Sequence, residues 1–281
     1  MTTSPTLREI SSKTCVVRNT AAGRGRTRSV TPGATASTHL HVGRIILSAV
    51  DGPVAVPAGP LETGLVCLSG AATLEVGADR FAMCPYDALY VPRDVAFRVA
   101  PGADGCDLAE FAAPVEGHYP VQHVVFADVR RDPGLHFKAG GPACERELNI
   151  LIGKNAQTGR LMAGVTFSAP GNWTSWPPHE HAAMLEEAYL YIAMPAPAFG
   201  VQLVYTDEGD PELATIVRQD DLVIMPRGYH PNVAAPGGPI NFLWIMAAHR
   251  EGVDRQFGVV NVAPAFAAGG SGIDRGRADA R

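Results

Sequence analysis

The sequence predicts an all-β protein built as two tandem small β-barrels of jelly-roll type, with few short helices. Three observations lead there. Glycine (30 residues) and proline (23) are spread along all 281 positions, the pattern of many short strands joined by turns. Long helical periodicity is scarce, and the best short helical candidates lie near the start and after Arg250. One strand–turn–strand phrase also occurs twice, at residues 86–95 and 220–230. Val91-Pro92-Arg93-Asp94 stands in the first copy where Met225-Pro226-Arg227-Gly228 stands in the second, as expected of a duplicated small barrel.

The elements follow in order. Arg24, Arg26 and Arg28 form a basic cluster in a Gly-rich stretch, expected to be a solvated loop. His39-Leu40-His41 reads as two polar positions on one face of a strand, because neither a glutamate nor a Pro-x-Gly-x-His segment accompanies it. Residues 64–77 read as a strand, a glycine turn and an alternating strand. Residues 86–99 read as an apolar strand that ends at a Pro turn before a second strand begins. The linking region, about 114–144, carries His118, His123 and His136, each expected to be partly buried and structural. The tail from Ala267 to Arg281 has little to bury and is expected to be disordered or loosely draped. The resulting division is an N-terminal barrel over 1–130, a C-terminal barrel over 131–266 and a tail over 267–281.

Composition narrows the function. With 46% hydrophobic and 18% charged residues the chain is an ordinary globular protein. A formal net charge of -5 leaves no basic footprint for nucleic acid. No apolar run reaches the length of a membrane span, and residues 1–9 lack the apolar centre of a secretory signal. Five cysteines (Cys15, Cys67, Cys84, Cys106, Cys144) are dispersed without a CxxC pair. That suits a reducing cytoplasm better than a disulfide framework, with each thiol a small packed side chain.

Chemistry concentrates in residues 177–191. His179 and His181 are two residues apart, so in a strand they share one face and can grip one ion. Glu186 and Glu187 follow at the head of an apolar run, and a third imidazole, His230, follows the Pro226-Arg227-Gly228 turn. Three His and one Glu outline a catalytic metal site with open positions. Arg227 and Tyr229 flank His230, and an Arg can hold a carboxylate with two hydrogen bonds. Arg146, Lys154 and Arg160 are further carboxylate-binding candidates. Trp173 and Trp176 are candidates to wall a sugar site.

These segments resemble the cupin superfamily, whose first motif is HxH followed by Glu at a strand head and whose second is a Pro-x-Gly turn followed closely by His. More closely, the chain is similar to the bicupin sugar-acid isomerases of the KduI/IolB type. The matching stretches run from Ala169-Pro170-Gly171-Asn172-Trp173 through His179-Glu180-His181, Leu185-Glu186-Glu187-Ala188-Tyr189-Leu190-Tyr191 and Val204-Tyr205-Thr206-Asp207 to Pro226-Arg227-Gly228-Tyr229-His230-Pro231. The resemblance is specific over about 149–248 and faint across the first half.

The resemblance implies a metal-free N-terminal barrel and metal ligands His179, His181, Glu187 and His230. The family glutamate directly precedes the small residue and the Tyr of its strand, which selects Glu187. Alternation then places Glu187, Tyr189 and Tyr191 on one face and Glu186 on the other. The implied activity is a metal-dependent aldose–ketose isomerase acting on a deoxy-glucuronate. One branch of the family uses 5-deoxy-glucuronate, from inositol; the other uses 5-dehydro-4-deoxy-glucuronate, from pectin. Val204 to Asp207 and Gly228-Tyr229-His230-Pro231 look like the inositol branch, which is the first expectation. The short spacer after His181 and Glu187-Ala188-Tyr189-Leu190-Tyr191 look like the pectin branch. Glu187 and Tyr189 are the expected catalytic residues, with Arg227, Tyr229 and Trp176 as substrate contacts. Zn²⁺ is the first metal expected, with Mn²⁺, Fe²⁺, Co²⁺ and Ni²⁺ compatible. A cytoplasmic homo-oligomer taking a small sugar acid completes the expectation. The rival readings are a metal-dependent cupin dioxygenase and a non-enzymatic sugar-binding bicupin.

Overall fold

A computed structural model of the chain describes residues 9–272. Residues 1–8, and residues 273–281 of the expected tail, lie outside the described residues. The helical candidates shrink to single turns. The one near the start is Ser12–Cys15, and beyond Arg250 the only helical element among the described residues is the 3-10 segment Pro264–Gly269. Phe266 of that segment packs on Trp176, with ring centroids 5.0 Å apart. No described helix reaches 7 residues.

Two large sheets share one plan. In the first, neighbouring strands run Gly25–Val30, His41–Leu47, Phe97–Pro114, Leu61–Val76, Ala88–Val91, Gln122–Val124. In the second, Arg146–Ile152, Leu161–Ser168, Phe242–Ala248, Leu185–Tyr191, Leu222–Met225 and Val16–Val17 follow one another in the same way, with His136–Ala139 beyond. The correspondence extends to a bulge. Arg28 and Val30 oppose Gly43 and Val42, as Ile150 and Ile152 oppose Gly164 and Ala163. The repeated phrase in the sequence is therefore one strand of a duplicated barrel.

The two outermost partners come from elsewhere in the chain order. Val16–Val17 precedes the first barrel yet pairs with Leu222–Met225 of the second. Gln122–Val124 precedes the second barrel yet pairs with Ala88–Val91 of the first. Each lent strand covers a sheet edge that would otherwise expose unpaired backbone groups. A smaller sheet of Trp173–Thr174, Asn232–Ala234, Gly200–Val204 and Leu213–Val217 faces the second large sheet. Tyr191 Oη bridges the two by donating to Gln202 Oε1 at 2.5 Å.

Burial follows the period of two. Leu65, Cys67, Leu89 and Leu108 fill the first barrel. Their alternates Val66, Ala88, Tyr90 and Ala109 belong to a second cluster, shared with Ala188, Leu190, Leu243 and Ile245 of the other sheet. The sheets thus pack back to back, which is why central strands such as Leu185–Tyr191 and Leu222–Met225 are buried at every position.

Two carboxylates stitch this contact reciprocally. Glu186, 0% exposed, accepts the backbone N–H groups of Thr38, His39 and Leu40 at 2.6, 2.7 and 2.5 Å. Glu62, its counterpart one sheet over, accepts those of Gly159, Arg160 and Leu161 at 2.7, 2.6 and 2.9 Å, plus Tyr90 Oη at 2.7 Å. Each buried charge is satisfied by three successive amides of the opposite half, as burial of a carboxylate demands.

Candidate metal centre

His179 lies in the two-residue strand His179–Glu180, paired with Asn261–Val262. The expected strand stops there. At His181 the chain turns, and the carbonyl of His181 accepts the N–H groups of Met184 and Leu185, both at 2.9 Å. The imidazoles converge even so, with the ring centroids of His179 and His181 6.3 Å apart. His230 enters from the Pro226-Arg227-Gly228 turn, its ring 4.9 Å from His179 and 5.2 Å from His181. Gly228 has φ +88°, a conformation that favours glycine, and a Cβ there would meet the Tyr205 carbonyl at 2.8 Å.

Ligand nitrogens of His179, His181 and His230 lie within 4.8 Å of one another, the one such grouping of potential metal ligands among the described residues. His179 Nδ1 lies 2.9 Å from the Pro177 carbonyl, and His230 Nδ1 lies 2.9 Å from the Gly228 carbonyl. A carbonyl only accepts, so both rings carry their proton on Nδ1 and present a bare Nε2 lone pair. Glu187 Oε2 sits 2.9 Å from His181 Nε2 and 3.1 Å from His230 Nε2. Donors at right angles on bonds of about 2.1 Å stand about 3.0 Å apart, so these separations suit one shared ion. His230 Nε2 and His181 Nδ1 are buried without a hydrogen-bond partner. Three imidazoles and a carboxylate converging at a largely buried point are a donor set fitted to a divalent metal.

The electrostatics agree. Burial drives the His179 pKa down to about 3, helped by the charges of His230 and His181. Burial resists ionisation of Glu187, but His181 and His230 hold its pKa down at about 2. Burial likewise resists a charge on His181, and Glu187 facing it raises the pKa. His181 and Glu187 form an ion pair whose proton a cation can displace. Behind the centre, Gln202 Nε2 donates to the His230 carbonyl at 2.9 Å, and Asn232 Nδ2 donates to Gln202 Oε1 at 3.1 Å. Gln202 and Asn232 escape sequence reasoning because polar residues on alternating strands give no sign of the partner they hold.

The cavity beside the centre is lined by His179, His181, Glu187, Tyr189, Ser175, Arg146, Trp244 and the segment 256–260. Tyr189 Oη is 2.7 Å from Ser175 Oγ, and burial followed by the charge of Glu187 pushes its pKa well above the usual phenol value. Phe257 of the covering segment stacks on Trp244 at 5.2 Å. That segment carries no sequence signal, because it has neither strand alternation nor a ligand pattern.

Other expected contacts lie elsewhere. Arg227 Nη1 stands 3.6 Å from Glu212 Oε1, outside the residues that line the cavity. Tyr229 exchanges backbone hydrogen bonds with Tyr205 at 3.0 and 2.8 Å. Trp176 packs against Trp173 and Phe266. Glu186 is committed to the amides of the other half, which removes it as a ligand or base. Arg160 is spent on the carbonyls of Pro114, Ala248 and His249, and Lys154 is exposed.

Several local expectations are corrected. Arg26 and Arg28 do not sit in a solvated loop; they share one face of the strand Gly25–Val30. Gly43 lies between that strand and Glu110 and leaves room for both to reach the buried Glu110 at 2.6 and 3.1 Å. In the first barrel Thr63 occupies the register position of Glu187. His123 and His136 are partly buried, against Phe81 and Asn149, but His118 is 67% exposed. Cys84 is exposed rather than packed.

Two back-to-back jelly-roll barrels with a three-histidine, one-glutamate centre in the second define a bicupin with a candidate metal site. Comparison with known proteins carries this further. The model of the KduI/IolB family matches residues 15–261, and the chain belongs to that family. The 5-deoxy-glucuronate isomerase of Geobacillus thermodenitrificans (strain NG80-2) is 30% identical over 203 residues, covering 66% of this chain and 72% of the relative. That of Bacillus subtilis (strain 168) is 28% identical over 174 residues, covering 59% and 62%. Among solved structures, an IolB-like protein from Salmonella typhimurium LT2 superposes with TM-score 0.79 at 22% identity, covering 90% of this chain and 98% of that one. A Bacillus subtilis oxalate decarboxylase variant gives TM-score 0.64 at 11% identity, covering 90% and 80%, a likeness of fold alone.

Proposed function

We propose that this protein is a metal-dependent sugar-acid isomerase that interconverts an aldose and a ketose, with 5-deoxy-glucuronate as substrate. The observation that carries the reading is the convergence of His179, His181, His230 and Glu187 beside one cavity. Family membership and the isomerase relatives support it.

The reaction moves a proton between adjacent carbons through an enediolate. A bound divalent cation, Zn²⁺ first, would stabilise the negative charge developing on the substrate oxygens. His179, His181 and His230 would hold it as neutral ligands, oriented by the Pro177 and Gly228 carbonyls. Among the described residues Glu187 is the one carboxylate that lines the cavity; its Oε2, facing His181 and His230, serves as the ligand, and Oε1 is the oxygen left to take the carbon-bound proton. Tyr189, kept protonated by burial and fixed by Ser175, can hydrogen-bond a sugar oxygen and deliver or retain its proton. Trp244 and the segment 256–260 line the cavity, and Phe257 stacked on Trp244 gives a bound sugar an apolar wall. A cytoplasmic setting and assembly into a homo-oligomer belong to the same proposal. No helix among the described residues is long and apolar enough to cross a membrane.

The test is direct. The purified protein, loaded in turn with Zn²⁺, Mn²⁺, Fe²⁺, Co²⁺ and Ni²⁺, is assayed with 5-deoxy-glucuronate and 5-dehydro-4-deoxy-glucuronate. Turnover of the first without oxygen uptake is expected. Turnover of neither defeats the proposal, and oxygen consumption would mark an oxygenase instead.

A further inference from the structure

We propose that Arg146 is the anchor for the substrate's carboxylate, the residue that makes this cavity select an acid sugar over a neutral one. The inference deepens the isomerase reading and rests on it for the identity of the sugar.

Arg146 opens the strand Arg146–Ile152 and lines the same cavity as His179, His181 and Glu187. It is 5% exposed. Its described hydrogen bond runs from Nη1 to the Cys144 carbonyl at 3.1 Å, a neutral group in its own turn. No carboxylate among the described residues pairs with it. Arg255 also lacks a carboxylate, but three backbone carbonyls accept its N–H groups, and the most buried arginine is ion-paired. Arg44, 1% exposed, is held between Asp107 and Asp220. Arg26 and Arg28 share Glu110.

A buried, unpaired cation costs several kcal/mol, and replacing it by an apolar side chain is ordinarily favourable. Burial accordingly lowers the Arg146 pKa from its ordinary value. The fold nevertheless builds a seat for this side chain. Gly140, with φ +88°, lies so close that a Cβ would meet Arg146 Nη1 at 2.8 Å and the Cys144 carbonyl at 2.1 Å. A seated but uncompensated guanidinium in a cavity is complementary to a planar anion, which takes two parallel N–H bonds.

Tyr189 relates this cation to the metal ligands. Its ring is 5.9 Å from that of His230, and its phenol is close enough to feel the charge of Arg146. One cavity therefore carries carbonyl chemistry at the imidazoles and a carboxylate receptor at Arg146, with the tyrosine between. A uronate, with its carboxylate remote from the carbonyl, has that polarity. Arg227, the candidate favoured by sequence position, is engaged with Glu212.

The experiment uses the full-length protein and the variants R146M, R146Q and R146K. Each is measured for metal content, ligand-free thermal unfolding, the unfolding shift given by D-glucuronate with D-glucose as the neutral control, and kcat and KM on 5-deoxy-glucuronate. For R146M we expect unchanged metal content and a ligand-free unfolding temperature equal to or above the wild type. The shift given by D-glucuronate is lost, and KM rises at least about 100-fold, the scale of a lost charged contact. R146K should recover part of the binding. Two results overturn the inference: R146M and R146Q retaining the D-glucuronate shift and KM, or both unfolding well below the wild type, as a structural arginine would require. If the wild type isomerises neither uronate yet shows an Arg146-dependent shift with D-glucuronate, the isomerase reading falls and the carboxylate receptor stands. Normal turnover by R146M fells the anchor alone.

Discussion

Glu186 and Glu187 are neighbours in sequence with opposite duties, and substituting each to Ala separates them. Glu186 faces away from the cavity and accepts three backbone N–H groups, those of Thr38, His39 and Leu40. Leu40 N–H is buried in this contact, while the other two are partly accessible. Loss of a charged acceptor costs about 2 kcal/mol for the buried amide and about 1 kcal/mol for each amide that water can reach. Glu186→Ala should therefore destabilise the protein by about 4 kcal/mol, a large share of a total of roughly 5–15 kcal/mol. It should leave the metal content of the folded fraction unchanged. Glu187→Ala should instead cost the metal, because its carboxylate meets only His181 and His230: bound metal falls sharply even in the fraction that stays folded. Glu186→Gln should fall between, since an amide keeps one acceptor oxygen but sets an NH₂ group against amide donors. Urea unfolding followed by circular dichroism, with elemental analysis of the folded fraction, reads both quantities. The reasoning is refuted if Glu186→Ala unfolds at the wild-type urea concentration, or if it loses as much metal as Glu187→Ala.

Three further outcomes follow from the same geometry. His230→Ala removes a ligand delivered from a distant turn and should strip most bound metal, and an unchanged metal content would overturn the ligand assignment. Gly228→Ala forces a side chain into φ +88° and against the Tyr205 carbonyl at 2.8 Å. The displaced turn should weaken metal binding about 10-fold or more, as loss of an orienting partner does, and titration with a competing chelator measures it. His39 packs on the ring of His249 at 5.6 Å, and burial, then Arg160 and His249, push its pKa from 6.5 down to about 4. A folded-state pKa below the unfolded one gives stability that is complete above about pH 6.5 and is lost as the pH falls toward 4. The urea midpoint of the wild type should fall across that window, and that of His39→Asn should fall less; equal slopes would exclude His39 as the cause.

What the sequence determined by itself was whatever depends on short spacing and on repetition. Period-two alternation separates Glu186 from Glu187, because successive side chains on a strand must point to opposite faces. The two proline turns at Pro92 and Pro226 disclosed a duplicated barrel, and the spacing of His179, His181 and His230 marked three imidazoles that the fold brings together. Which side chains meet across long separations depends on the folded chain alone. Arg26 and Arg28 resembled a solvated cluster until Glu110, more than 80 residues on, was seen between them. Glu186 resembled a spare ligand until its amide partners were found 146 to 148 residues away. Nothing in the sequence sets Arg146 above Lys154, Arg160 or Arg227, because its lack of a counter-charge is a property of the folded cavity and not of its neighbours in sequence. Local dihedral preference sets the face a residue presents; sheet pairing and the back-to-back packing of two barrels set what that face encounters.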